Sequence, residues 1–167
     1  MRNVFIILTL LVSLCSTVHA AQPNTATNSS SEQSTALNTQ YENLLAYYFA
    51  AARTDESDVI EQFVHGGIPI NSINIKGYTA LMIATYHGNK NSVNTLLQLG
   101  ANACLEDNRG NTALMAAIFR GEFSIAKTLV SQQCDTEHQN KAGQTAQQFA
   151  ETFGQQKIIA LLNQVKK

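Results

Sequence analysis

The sequence predicts an all-α solenoid of four stacked helix-turn-helix repeats with short β-turn or hairpin tips. Three observations carry this reading. First, Gly77 to Asn102, GYTALMIATYHGNKNSVNTLLQLGAN, recurs 33 residues later, from Gly110 to Asp135, as GNTALMAAIFRGEFSIAKTLVSQQCD, and self-similarity at a fixed period dictates a repeat architecture. Second, Ala51, Ala84, Ala117 and Ala150 fall at one phase of that period, and Phe63, Leu96, Leu129 and Leu162 at another. Third, each helix pair is too small to bury its own apolar face, so stacked copies must share a core in which each repeat touches only its neighbours.

The elements follow in chain order. Residues 1–20 read as a secretory signal peptide: Arg2 gives a positive start, Val4 to Leu14 is apolar apart from Thr9 and Ser13, and Val18-His19-Ala20 offers small residues for cleavage. The apolar run is about half a bilayer span, too short for a transmembrane helix. A lipid-acceptor role for Cys15 requires a small residue before it, and Leu14 is not small. Cleavage after Ala20 removes Arg2 and no acid, leaving 10 basic against 12 acidic residues, net −2. The expected destination is the bacterial periplasm, or secretion. Residues 21–40 are rich in Ser, Thr, Asn and Gln without apolar period, and are expected to be a disordered polar linker.

The repeat domain is placed at 41–167, with repeats at about 44–76, 77–109, 110–142 and 143–167. Helical spacing starts near Tyr41 and puts Leu44, Leu45, Tyr48, Phe49 and Ala52 on one apolar face. A second helix begins near Ser57 and stops at Gly66-Gly67. In the next unit Thr79 is the N-cap of a helix over Ala80–His87, Gly88 breaks it, and a partner helix covers about 91–99. The third unit repeats this with helices over Ala113–Arg120 and about 124–132, and the fourth closes on Ile158, Ile159, Leu161 and Leu162.

These residues resemble the ankyrin repeats. The period matches, and Thr79-Ala80-Leu81-Met82-Ile83-Ala84 and Thr112-Ala113-Leu114-Met115-Ala116-Ala117 are similar to the family's T-P-L-H-x-A helix opening. Gly100-Ala101-Asn102 is similar to its glycine–alanine turn. Ala80 and Ala113 replace the motif proline, and Met82 and Met115 its histidine; Tyr48 and Gln147 stand where Leu81 and Leu114 stand in the better repeats. The resemblance implies a non-covalent protein–protein interaction module that meets its partner through turn tips and the exposed side of the inner helices. Carried over by register, the partner-binding residues are Ile75, Lys76, Tyr78, Asn108, Arg109 and Asn111 at the tips, with Tyr86, His87, Phe119 and Arg120 on the helices. Lys141, Ala142, Gln144, Arg53, Thr152 and Phe153 occupy corresponding positions. Tyr86, Phe119 and Phe153 either await a partner or pack on one another to cover a thin solenoid.

Other chemistry is poorly supported. With 11 Lys+Arg and 12 Asp+Glu the charge is balanced, unlike a nucleic-acid surface. His65, His87 and His138 have no metal-ligand spacing and read as surface histidines. Asp55, Glu56, Asp58 and Glu61 suit the positive end of a helix better than a cation site. Cys104 and Cys134 lie in adjacent repeats three positions out of register, and form either a disulfide or two buried or reducible thiols. No phosphate loop, nucleophile elbow or paired-Cys motif is present. The expectation is a monomeric, non-enzymatic binder of protein, without cofactor, metal, nucleic acid or membrane span. An alternative is a stress-protection or toxin-neutralising accessory protein without catalytic activity.

Overall fold

The computed structural model describes residues 28–165 apart from residue 136, with side chains from residue 34 onward. The expected signal peptide and the first part of the expected linker lie outside the described residues. The chain divides into two units, 1–37 and 38–167. The described residues form eight helices: α1 (Asn28–Thr54), α2 (Ser57–His65), α3 (Ala80–His87), α4 (Lys90–Gln98), α5 (Ala113–Arg120), α6 (Phe123–Val130), α7 (Ala146–Thr152) and α8 (Gln156–Val165). Within the second unit α3 packs on α4 and α5, α5 on α6 and α7, and α7 on α8, while α2 meets α4 and α6 meets α8. This is the solenoid expected from the repeat period.

One boundary differs. α1 starts at Asn28, inside the stretch read as linker and well ahead of Tyr41. No Pro or Gly interrupts residues 28–54. Glu, Gln, Ala and Leu propagate a helix outward from its packed part even where nothing is buried. Composition revealed the missing apolar face and not the helix. Leu44 also departs from the expected face: it is exposed, beside exposed Tyr41 and Tyr47, whereas Leu45, Tyr48, Phe49 and Ala52 are buried.

The helix starts are set by threonine. Thr79 Oγ1 accepts from the backbone N–H of Met82, Thr112 Oγ1 from that of Met115, and Thr145 Oγ1 from that of Gln148, whose side chain returns a bond to complete a capping box. Such caps satisfy amide groups that the first turn leaves unpaired. Loss of the motif proline therefore leaves these N-caps formed, and Met82 and Met115 fill buried volume. The alanine column behaves as its phase requires: Ala84, Ala117 and Ala150 are fully buried and Ala51 nearly so, while Leu96, Leu129 and Leu162 form the buried rib of the outer helices. Tyr48, the atypical residue of the first repeat, is fully buried and its hydroxyl donates to the Ile70 carbonyl at 3.0 Å. Burial pushes its phenol well above the usual range, so it stays a neutral donor.

Three local features break the pattern. Asp55 stands at the phase of Gly88 and Gly121 and adopts the same left-handed backbone, φ 62°. Its carboxylate accepts from the Ser92 backbone N–H at 2.8 Å and the Asn91 amide at 3.0 Å. It thus caps α4 of the next repeat, a charge-assisted bond at the positive helix end. The acidic residue works where expected, at a helix start, but on the neighbouring repeat's helix. Ser92 sits at the phase of Val59, Ile125 and Ile158, fully buried with an unpartnered hydroxyl. Gln133 takes the left-handed backbone, φ 57°, where Gly67 and Gly100 stand in earlier repeats.

Beside Gln133, Cys134 is bonded to Cys104, with Cα atoms 5.4 Å apart. The chain after α4 and the chain after α6 approach closely enough to close the gap left open by repeat spacing. The bridge spans 30 residues, a loop whose closure in the unfolded chain corresponds to about 3–4 kcal/mol in the chain-entropy model.

Two outcomes follow. Gln133→Gly, which removes the side chain from a backbone that glycine adopts freely, should stabilise the fold by about 0.5–1 kcal/mol in urea unfolding; a loss of stability contradicts this account. Cys104→Ser with Cys134→Ser should lower stability by up to about 3–4 kcal/mol relative to the oxidised protein. Reduction of the wild type should reproduce that loss, and an unchanged unfolding midpoint in both would show that the bridge carries no stability.

Candidate functional site

The site is built from two features that repeat with the helices. The first is the tip. Asn74, Asp107 and Asn140 recur at the repeat period, each three residues before a glycine. Each side-chain oxygen accepts two backbone N–H groups across its turn: Asn74 from Lys76 and Tyr78, Asp107 from Arg109 and Asn111, Asn140 from Ala142 and Gln144. These bonds are the turn-forming habit of Asn and Asp. Each turn closes as a small hairpin, with Asn74 N–H on Tyr78 O, Asp107 N–H on Asn111 O and Asn140 N–H on Gln144 O. Only the first includes a formal bridge, Ile73 to Thr79.

The tips then bond to each other. Asn108 N–H donates to Lys76 O at 3.1 Å, and Lys141 N–H donates to Arg109 O at 2.9 Å. Asn108 also donates from its side chain to Ile75 O, and Asn140 to Asn111 Oδ1. This approach explains Gly77 and Gly110. Both have positive φ, and a Cβ on Gly77 would stand 2.7 Å from Asn108 N. Any side chain there would push the tips apart.

The second feature is the carboxyl end of each inner helix. Tyr86 and Phe119, one period apart, stack with ring centroids 5.9 Å apart and planes 11° from parallel. Phe153 meets Phe119 edge-on at 5.1 Å, and Phe149 packs against Phe153 at 4.8 Å. The Arg120 guanidinium lies 5.2 Å from the Tyr86 ring centre, a cation–π geometry. The ladder leaves register at its last rung, because Thr152 holds the repeat position and neighbouring Phe153 supplies the ring.

Tips and helix ends enclose one groove of about 980 Å³. The structure brings nine of the ten sequence-selected residues to its lining: Ile75, Lys76, Tyr78, Tyr86, His87, Asn108, Arg109, Asn111 and Phe119. Arg120 is not in the lining and reaches the site through Tyr86. Arg53, Lys141, Ala142, Gln144 and Phe153 join them, whereas Thr152 does not. Tyr78 is half-buried and Ile75 almost fully exposed. The aromatics do pack on one another, and Tyr86, Phe119 and Phe153 nevertheless remain 45%, 44% and 40% exposed. Among the described residues no three His, Cys, Asp or Glu side chains converge.

The histidines are not alike. His138 is no free surface residue: its Nε2 donates to Gly110 O at 2.8 Å and its Nδ1 lies 3.5 Å from Glu106. It fastens the loop after α6 to the preceding tip, and a lone histidine at the phase of Leu105 gave little warning of that. His87 is held below the ordinary histidine value by partial desolvation first, then by Arg53 and Arg120. Because its folded pKa is lowered, the neutral ring contributes stability above the unfolded value of 6.5, and that contribution is lost as pH falls through the lowered one. His87→Gln should therefore lose less thermal stability than wild type between about pH 7.5 and about pH 5. A wild-type-to-variant difference constant over that range would contradict the sign.

The family model described as ankyrin repeats (3 copies) matches the chain at residues 14–107, 47–140 and 100–165. No curated protein matches it. Ankyrin repeats are generally protein–protein interaction modules and typically non-catalytic. With the period, the stacked helix pairs and these matches in agreement, the chain belongs to the ankyrin-repeat family.

Proposed function

We propose that this protein is exported to the bacterial periplasm, or secreted, and there binds a partner protein non-covalently as a monomer through the groove centred on Tyr78, Tyr86, Phe119 and Arg120. The observation that carries the reading is the exposed aromatic ladder. Mutual stacking accounts for the order of these rings and leaves their exposure unexplained. Rings already fixed by their neighbours lose little rotamer freedom on contact, which suits a binding surface. Arg120 beside Tyr86 brings together two of the residue types enriched where interface energy concentrates.

Export is supported by the signal-like residues 1–20 and by the Cys104–Cys134 bond, since structural disulfides persist in oxidising compartments. A binder of this kind acts by occupancy, through complementary shape and charge, and forms no covalent intermediate.

The test is Tyr86→Ala with Phe119→Ala. Capture of a stoichiometric partner from the exported fraction of the protein's own cell should weaken by at least about thirtyfold, the scale of a removed hot spot of ~2 kcal/mol. Far-UV circular dichroism should keep its helical signal, because neither ring is part of the buried core. Undiminished capture by the double variant would refute the groove as the binding surface.

A further inference from the structure

The groove has a charge that the composition conceals. Arg53, Lys76, Arg109 and Lys141 line it and Arg120 adjoins it, so five of the chain's 11 basic residues gather in one place. Among the described residues Asp107 is the one acid in the lining, and that carboxylate accepts from the N–H groups of Arg109 and Asn111 within its own turn. The ion pair found among the described residues, His138 with Glu106, involves none of these cations.

Fold stability explains only part of this set. Arg53 and Arg120 occupy the last turns of α1 and α5, where a cation offsets the negative helix end. Lys76, Arg109 and Lys141 stand at the other end, on tips just ahead of the amino termini of α3, α5 and α7, where a positive charge is unfavourable to the helix dipole. Three cations at the electrostatically wrong end, in no ion pair with an acid among the described residues, are explained by a ligand that brings the acids.

We infer that the groove receives an extended, acidic segment of the partner protein, its carboxylates meeting the tip cations and its apolar side chains resting on the aromatic ladder. The inference rests on the groove being the protein-binding surface. Geometry sets the pattern. Packed helices lie about 8–10 Å apart, and corresponding tip positions such as Lys76 and Arg109 repeat at that spacing, while Lys141, one residue ahead of register, is bonded directly to Arg109 through its backbone. An extended chain advances about 3.3 Å per residue, so carboxylates about three residues apart meet successive tips, and about nine residues cross three repeats. The inner helices α3 and α5 have 8 residues each. That places the tip row and the helix-end row about 12 Å apart, with the rings in the second row. A flat bilayer does not enter such a groove. A nucleic-acid strand would carry its continuous charge across the Tyr86, Phe119 and Phe153 rings, where an acidic peptide places apolar side chains instead.

The experiment uses labelled peptides of about nine residues in fluorescence anisotropy: one with Glu at every third position and Leu and Phe between, one with Gln for each Glu, one with Lys. The Glu peptide should bind at least about tenfold more tightly than the Gln peptide, with no binding of the Lys peptide, and should weaken as NaCl rises from about 0.05 to about 0.5 M. The triple variant Lys76→Glu, Arg109→Glu, Lys141→Glu should lose that binding by at least about tenfold while its thermal midpoint holds or rises, because acids suit helix amino termini. Equal binding of the Glu and Gln peptides, or no binding of any, overturns the inference. So does tighter binding of a short single-stranded oligonucleotide or of phosphatidylglycerol vesicles. A native partner lost by Tyr86→Ala with Phe119→Ala but retained by the triple variant overturns the acidic specificity alone; retention by both overturns the groove reading as well.

Discussion

The structure depends on how closely one inner helix can approach the next. Ala84, Ala117 and Ala150 carry side chains small enough to vanish between neighbouring helices. That spacing brings Lys76 O within 3.1 Å of Asn108 N and Arg109 O within 2.9 Å of Lys141 N. It also places Tyr86 and Phe119 at stacking distance. A larger residue in the alanine column would strain the core and separate the tips and rings together. The groove is thus a consequence of the core packing, and its dimensions are fixed by residues that never touch its contents.

Because every contact is between neighbours, stability is a sum of interfaces, and weak interfaces matter individually. The first interface holds a compensated defect: Asp55 accepts an unusual backbone in place of glycine and uses its carboxylate to cap α4. Ser92 in the same helix is uncompensated, with a buried hydroxyl that lacks a partner; desolvating such a group costs about 1–3 kcal/mol. The third repeat has lost its glycine at Gln133, and there the chain is held by the Cys104–Cys134 bond and by His138 on Gly110. Cross-links stand where the third repeat has lost its turn glycine, as expected if the stack is marginal without them.

Much of the fold was legible because inward-facing positions see nearly identical surroundings in every repeat. The bounds of α3 and α5, the threonine caps and the alanine column all follow from that sameness. What was missed, or in the case of the cysteines left open, depends on a single neighbour. Asp55 reaching across to Ser92, His138 reaching Gly110, and the closure of Cys104 on Cys134 are contacts between different phases of the period, and no alignment of the repeat with itself displays them. Asn74, Asp107 and Asn140 were a different omission: their signal was present, one Asn or Asp three residues before each tip glycine. The early start of α1 was hidden because helix propensity without an apolar face leaves no periodic trace.

The groove divides along the same line. Its shape comes from repeated residues and was legible, whereas its charge comes from Arg53, Lys76, Arg109, Arg120 and Lys141, which do not share one phase. Averaged over the chain they vanish into a net charge of −1. Only the fold separates them from the acids, most of which lie outside the groove, as Asp55 does at the start of α4 and Asp58 in the first turn of α2. A solenoid permits this segregation because its two edges are built by different phases of the repeat, and a substitution on one leaves the packing of the other unchanged. Selection on the groove can therefore proceed without renegotiating the core, so long as the alanines keep their place.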